Sequence, residues 1–460
     1  MSFRTTIILA IIVLILAGLA YYDTQRSEKK KVQEEKQKTL LELKKEDITE
    51  IKIDRPKDSV QLVASGKDRW EITSPIKTRA DEASVGRITS AFEKLQYKDI
   101  VDEQGKNLKE YQLDKPQAAF NITTKQGKKY TIQVGAKNPV MNINYVRVQN
   151  DPRVYSVEGE IGNVGTIALL DLRDKKLTDF NSEKAESVRV TTPQANVLFQ
   201  KESGSWKMKE PINSPASDSE VSSLLSSLEF LRATQFMDEP EYTQTESLNK
   251  IGFDKPPGSV EITLEKGLKQ KIDFGNKVGE QIYVRVEGNP SLAMVSDSFS
   301  TFFNKKVDDW REKKLVVFNR FDVENVRIKE KTVQYDFSRA KEDSWTMNSP
   351  EKGPVDTDKV QAVLEKLELA EIDKFGDEKS LTGEPVLQVD LSSKDWQGAQ
   401  SHRILTFGPV AGDQQPVKND AYNTVVFVKA STSKEIQDGL AGIKPKTAQT
   451  QTQTKPAPKK

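Results

Sequence analysis

Residues 70–85 read WEITSPIKTRADEASV, and the same order of residue types returns as WKMKEPINSPASDSEV at 206–221 and WTMNSPEKGPVDTDKV at 345–360. In each copy a tryptophan (Trp70, Trp206, Trp345) is followed five positions on by proline (Pro75, Pro211, Pro350). Eleven on comes a helix N-cap type (Asp81, Ser217, Asp356), and fifteen on a valine (Val85, Val221, Val360). One structural unit is laid down three times. The tryptophans lie about 136 and 139 residues apart, enough for each copy to carry its own core, so the copies read as tandem domains rather than solenoid turns.

Working outward, each copy opens on short alternating runs. The first has Ile48, Ile51 and Ile53, then Val60 and Leu62, a Ser65-Gly66 turn, and Trp70 with Ile72. This pattern predicts three meandering strands. The proline after the third strand ends pairing, and the Asp or Ser six residues later can accept hydrogen bonds from the free amides of a helix. Apolar residues then recur at Val85, Ile88, Phe92 and Leu95, at Val221, Leu224, Leu228 and Leu231, and at Val360, Val363, Leu367 and Ala370. Such steps make one buried stripe, so the helix is expected to lie on the sheet.

Next come Leu113-Asp114-Lys115-Pro116, Phe253-Asp254-Lys255-Pro256 and, more weakly, Thr382-Gly383-Glu384-Pro385, which read as turns. Strands ending in Gly135, Gly275 and Gly408 follow, each glycine expected to supply a backbone angle a larger residue resists. Tyr145-Val146-Arg147-Val148, Tyr283-Val284-Arg285-Val286 and Val425-Val426-Phe427-Val428 read as buried strands. A final amphipathic helix, clearest from Ser298 through Phe302, Phe303 and Trp310, is expected to close the unit. The fold class expected is α+β: three tandem homologous units of antiparallel strands with two packed helices each, behind one N-terminal transmembrane helix.

Two copies end on Arg173-Asp174-Lys175-Lys176-Leu177 and Arg311-Glu312-Lys313-Lys314-Leu315, whereas the third reaches Ile443 without such a run. It reads as a basic docking patch or as a solvated helix end that hinges one unit to the next; its absence after the last unit favours the hinge.

Thr5 to Tyr22 carries eighteen residues without a charge, which at about 1.5 Å per residue nearly crosses a hydrocarbon core of ~30 Å. A cleaved signal peptide ending at Gly18-Leu19-Ala20 is the competing reading. The Arg26, Lys29, Lys30 and Lys31 cluster argues for a cytoplasmic location by the positive-inside rule, but large domains translocate with limited regard to charge. The segmentation expected is a transmembrane anchor at 5–22, a charged stalk at 23–46, units at 47–180, 185–318 and 321–443, and a disordered tail at 444–460 made of Thr, Gln, Lys, Ala and Pro once past Ile443. The bulk of the chain is expected outside the inner or plasma membrane.

Seventy basic and sixty-nine acidic residues leave a net charge of +1, which argues against nucleic acid as partner. With no cysteine there is no disulfide, thiolate nucleophile, zinc-thiolate site or lipoprotein anchor. The one histidine, His402, leads into the apolar run Ile404 to Phe407 and reads as a strand side chain. No phosphate loop, histidine pair or nucleophile elbow occurs. The paired carboxylates Asp308-Asp309 and Asp356/Asp358 lack the apolar setting that acid catalysis needs. Asp356-Thr357-Asp358 also fails as a calcium loop, because Gln361 stands where glycine is required. Asn121-Ile122-Thr123 fits a glycosylation acceptor but lies in a strand. No catalytic, cofactor or metal residues are therefore assigned. The repeated tryptophans read as packing residues, while Trp310 and Trp396, which have no counterparts, read as candidates for outside contacts.

The order Trp-x-x-x-x-Pro, capped helix, Leu-Asp-Lys-Pro, strand ending in glycine, Tyr-Val-Arg-Val and Arg-Asp-Lys-Lys-Leu resembles the repeat of a bacterial membrane-anchored family known as a domain of unknown function, DUF4340. Members are often encoded beside ABC transporters of the gliding-motility type, so the resemblance implies an accessory role in an envelope complex and supplies no catalytic residues. The expected function is a membrane-tethered, non-enzymatic scaffold or binding protein of the bacterial envelope with an envelope-protein partner, for which the resemblance points to an ABC transporter subunit. A cell-wall or polysaccharide binder is the alternative.

Overall fold

The computed structural model describes residues 38–446, except 42, 67–68, 94, 239–241, 243, 341–343, 378–379, 395–397 and 423. The chain divides into two compact bodies, Met1–Lys176 and Leu177–Lys460. The first holds one copy of the repeat and the second holds two. Each copy builds a nine-stranded, wholly antiparallel sheet with one strand order, 4-3-2-1-6-7-8-9-5 counted within the copy. The first strand thus sits mid-sheet between the second and the sixth.

Alternation explains that placement. In the first copy Ile51 stands opposite Leu62 on one side and Ile122 on the other, and Ile53 opposite Val60 and Phe120. All six are essentially fully buried on one face. Val188 repeats this with Phe199 and Ile262 in the second copy, and Val326 with Phe337 and Leu391 in the third. A twelve-residue helix covers the apolar face in each copy: Glu82–Glu93, Asp218–Glu229 and Thr357–Glu368. The N-cap residues read from sequence do cap them. Asp81 accepts from the Ser84 amide at 2.8 Å, Ser217 from Glu220 at 3.4 Å and Asp356 from Asp358 at 3.1 Å. Phe92 meets Phe120 edge-on at 4.9 Å between ring centroids, which fixes the first helix on its sheet. The proline after each third strand follows a cis peptide, at Ser74-Pro75, Glu210-Pro211 and Ser349-Pro350.

The tandem organisation stands, but the α+β class with two packed helices per copy is corrected: the copies are mostly β. The final helix is continuous only in the third copy, at Ser431–Ala441. In the first it breaks into Ile161–Gly165 and Leu169–Leu172, and in the second into Asp297–Phe299, Ser300–Phe303 and Val307–Trp310. The glycine reading is also corrected. Gly135, Gly275 and Gly408 have no left-handed backbone, and their requirement is close approach: a Cβ on Gly135 would sit 2.1 Å from the Tyr111 carbonyl oxygen and one on Gly275 2.4 Å from that of Ile251. Those carbonyls accept from the next amides, Ala136 at 2.8 Å and Asn276 at 2.7 Å.

No helix among the described residues is long and apolar enough to cross a membrane, so the expected transmembrane helix has no counterpart in the described structure. Residues 5–22, like the stalk as far as 37 and the tail from 447, lie outside it. Lys38 onward, counted with the stalk in the sequence, packs on the first copy, where Leu41 and Leu43 are buried.

Candidate functional site

The run Arg311-Glu312-Lys313-Lys314-Leu315 is neither a docking patch nor a solvated helix end but a strap between the second and third copies. Leu315 is fully buried, its amide donates to Ala370 O at 2.8 Å, and Ile372 N donates to Lys313 O at 2.7 Å. Asn419 Nδ2 donates to the Leu315 carbonyl, and Tyr422 Oη to those of Lys314 and Glu312, at 2.9 and 3.2 Å. Lys313 and Lys314 point to solvent, whereas Arg311 is 2% exposed. Its guanidinium lies 3.6 Å from the centre of the Phe375 ring and Nη1 donates to Asp308 Oδ1 at 3.2 Å, while Nε and Nη2 find no acceptor. Burial accordingly pulls the Arg311 pKa below its ordinary value, against the opposing pull of Asp308.

The same construction recurs twice. Leu177 N donates to Leu231 O at 2.9 Å, and Asn289 Nδ2 to Leu177 O at 3.2 Å. In the first body Leu40 N donates to Leu95 O at 2.9 Å and Tyr97 N to Lys38 O at 3.0 Å. Each strap therefore opens a copy: Lys38-Thr39-Leu40, Lys175-Lys176-Leu177 and Lys313-Lys314-Leu315. The sequence reading had placed the run at the end of the preceding copy. The residues just before a strap pair with the fourth strand of the copy they leave, Asp174 N with Arg79 O at 3.0 Å and Glu312 N with Pro215 O at 3.1 Å. The third copy makes this pairing too, through Lys446 N and Pro354 O at 2.8 Å.

Burial, with the Glu312 carboxylate adding to it, pushes the Tyr422 hydroxyl above the ordinary phenol value. A phenol that ionises in the unfolded chain but not in the folded one contributes stability below about pH 10 and loses it as pH rises beyond. Tyr422→Phe is expected to cost about 1 kcal/mol at neutral pH, from the lost hydrogen bonding, and to flatten the alkaline fall. Urea titrations at pH 7 and 10.5 check both.

The other sequence candidates take structural places. Trp206 and Trp345 are buried and Trp70 is half-buried. Each tryptophan carbonyl accepts from the residue before the N-cap, Ala80, Ala216 and Val355, at 2.9, 3.1 and 2.9 Å. Trp310, read as an outside contact, is fully buried beside Phe199 at 5.5 Å, and Trp396 lies outside the described residues. His402 is exposed and sits 2.6 Å from Asp390 Oδ1 on the paired strand. Asp308 pairs with Arg311, Asp309 accepts from the Lys306 amide at 2.9 Å, and Asp356 caps its helix. Asn121 bridges Asp54 and Thr131 within the sheet. Among the described residues no group of three or more His, Asp or Glu is placed to hold a metal.

Sequence reasoning missed one charged cluster, Asp151 with Arg153 and Tyr155. The Arg153 guanidinium grips both carboxylate oxygens at 2.8 and 2.9 Å, and the buried Tyr155 hydroxyl donates at 2.6 Å. Arg153 first, and Tyr155 after it, hold the Asp151 carboxyl well below the usual carboxylate range. A depressed carboxylate contributes stability above its unfolded value of about 3.9 that is lost as pH falls below it. Asp151→Asn is therefore expected to lower stability at pH 7 while reducing its acid dependence between about pH 4 and 2, measured by thermal melts across that range. The i, i+2, i+4 spacing of these residues was the available signal, since it places all three near one strand start.

The first copy also contains a cavity of about 570 Å³ beside its long helix. That volume is typical of ligand-binding clefts. Ala83, Gly86, Ser90 and Ala91 form one wall, and Gly159 and Ile161 belong to the other. Arg87 and Glu160 bring opposite charges to its two sides. The second body has a smaller cleft between its two copies, where Lys207 and Arg403 meet Pro215 and Ala421.

The profile of the family described as "Domain of unknown function (DUF4340)" matches the chain twice, over residues 70–247 and 206–385. Both matches begin at a repeated tryptophan and run across a strap into the following copy. Among curated proteins none matches the chain.

Proposed function

The chain belongs to the DUF4340 family, and from that footing we propose that it is a non-enzymatic scaffold or binding protein of the bacterial envelope, held at the membrane by its apolar amino-terminal run. The single observation that supports this most is the strap. The second and third copies are joined by main-chain pairing on both sides of their strap, with a fully buried leucine in it and a buried arginine just before it. That construction suits a protein whose task is to hold similar surfaces in series. The uncharged run from Thr5 to Tyr22 supports attachment to a membrane, with the three copies outside it. A membrane protein is the partner, and a transporter subunit is the kind the family resemblance suggests. Carbohydrate binding through unmatched indoles loses one of its two candidates to the burial of Trp310.

Crosslinking in native membranes followed by affinity capture should recover one membrane protein reproducibly. Repeated recovery of this chain alone would count against a scaffold. Location is tested separately by protease treatment of intact and permeabilised cells, where cleavage of the C-terminal tail only after permeabilisation of the inner membrane would place the copies in the cytoplasm.

A further inference from the structure

We infer that one end of the first copy's sheet is a binding face for the anionic headgroups of a membrane, an inference that rests on the membrane attachment proposed above for residues 5–22. Four loops make this end, brought together by the antiparallel order: 44–47 before the first strand, 65–69, 125–128 and 149–153. Main-chain pairing fixes them side by side. Glu50 stands opposite Val63 and Ile48 opposite Thr124, and Lys125 N donates to Asp47 O at 2.8 Å. Lys44, Lys45, Arg69, Lys125 and Lys128 are exposed there. The four loops hold seven Lys or Arg against four Asp or Glu, and one of the acids, Asp151, is gripped by Arg153. The equivalent loops of the second copy (181–184, 203–204, 265–268 and 287–291) carry two basic and three acidic residues, and those of the third (319–322, 340–344, 395–399 and 420–424) two and five. Only the copy next in sequence to the apolar run is basic at this end, as attraction to an anionic surface requires.

Chain direction selects the same end. Lys38-Thr39-Leu40 pairs antiparallel with Leu95-Gln96-Tyr97, the residues that lead into the strand Asp99–Asp102. That strand is antiparallel to Val154–Glu158, which starts from the loop 149–153. Asp99–Asp102 therefore runs towards the basic end and the strap runs away from it, so the backbone reaches Lys38 from the basic side. From the level of Lys38 to that end is about five residues of extended strand, or ~17 Å. Fifteen residues separate Lys38 from Tyr22, enough to span ~22 Å as helix or ~50 Å extended. Either length lets the loops touch headgroups while the apolar run stays in the bilayer. The opposite end of the sheet carries the hairpin tip 138–143, where Val140 and Met141 are 93% and 53% exposed and no charged residue stands between Lys137 and Arg147. That tip is the other feature able to meet a bilayer, and the chain direction turns it away.

The chain has no cysteine, so single thiols report on each end of the copy in the full-length protein. Gln126→Cys marks the basic end without removing a charge, Met141→Cys the opposite end, and Leu268→Cys the equivalent loop of the second copy. Each labelled protein is reconstituted in vesicles with an acceptor dye on the headgroups, made of phosphatidylcholine alone or with about one-third phosphatidylglycerol. Energy transfer from position 126 is expected to be strong in the anionic vesicles and to fall at least about threefold in the neutral ones or in about 0.5 M NaCl, while transfer from 141 and 268 stays weak throughout. Lys125→Glu combined with Lys128→Glu should reproduce the fall, and the salt and lipid comparisons need no such substitution. Equal transfer from position 126 in both lipids, stronger transfer from 141, or indifference to the charge reversal overturns the face. So does a reversal that abolishes crosslinking to a membrane protein in cells and leaves the transfer unchanged, because the basic end would then be a protein contact. A chain that floats with the vesicles yet shows no transfer from position 126 loses the face and keeps its membrane attachment, whereas one that fails to float loses both.

Discussion

Trp310→Ala is expected to lower the unfolding free energy of the second body by about 3–5 kcal/mol, the range for truncating a fully buried indole. Its ring lies between Phe199 at 5.5 Å and Phe302 at 6.3 Å, with Lys305 Nζ 5.5 Å from the ring centre. It also has a counterpart that its identity conceals. Ser217 N donates to Trp310 O at 2.9 Å, and in the first copy Asp81 N donates to Leu172 O at 2.8 Å. Leu172 is fully buried as well. The two residues occupy one position of the repeat, where the backbone leaving the final helices caps the N-terminus of the long helix. Trp310→Leu, which installs the first copy's residue, should therefore cost less than Trp310→Ala and keep the backbone bond. Urea denaturation followed by tryptophan-independent circular dichroism gives the comparison. Equal stability of Trp310→Ala and the parent chain would mean that the indole is not part of the core.

Elements with a strong local period were legible in the sequence. The long helices and their caps follow from one apolar stripe and one side-chain acceptor, and the central strands from alternation that no other structure satisfies. The sheet's full width was not legible. Its fourth strands are two residues long, Thr78–Arg79, Ser214–Pro215 and Gly353–Pro354, and the fifth strand of the third copy is Lys374–Phe375, too short for any period to show. These edge strands carry the difference between an α+β reading and a nine-stranded sheet. The broken final helices were missed for a related reason: the apolar residues keep helical spacing across a backbone that turns away between them.

The strap was misread because its partners are remote. Tyr422 stands more than a hundred residues from the Glu312 and Lys314 carbonyls it binds, and Lys-Lys beside Arg suggests solvent wherever the fold is unknown. Once the pairing is seen, the sequence shows why Lys38-Thr39-Leu40 belongs to the same series: the first lysine and the leucine are common to all three.

Arg311→Ala should loosen the joint between the second and third copies by about 2–4 kcal/mol, through the lost contact over Phe375 and the space left behind. The ion pair contributes little to this figure, because Asp308 is 59% exposed and keeps its water when the guanidinium is removed. Charge and packing can be separated. Two guanidinium nitrogens are buried without acceptors, so the cation is held at a desolvation cost that a neutral side chain of similar length avoids. Arg311→Met is therefore expected to cost less than about 1.5 kcal/mol or to stabilise. Arg311→Lys should fall nearer to alanine, since an ammonium cannot stack flat on the ring. Trypsin reports the opening directly. Lys313 and Lys314 are exposed, yet their backbone is tied to Ala370, Ile372 and Tyr422, so cleavage there needs the strap to lift. At that site Arg311→Ala should be cut at least about tenfold faster than the parent chain, and Arg311→Met at nearly the parental rate. If methionine proves as damaging as alanine, the joint depends on the positive charge itself, and the packing account of the strap is wrong.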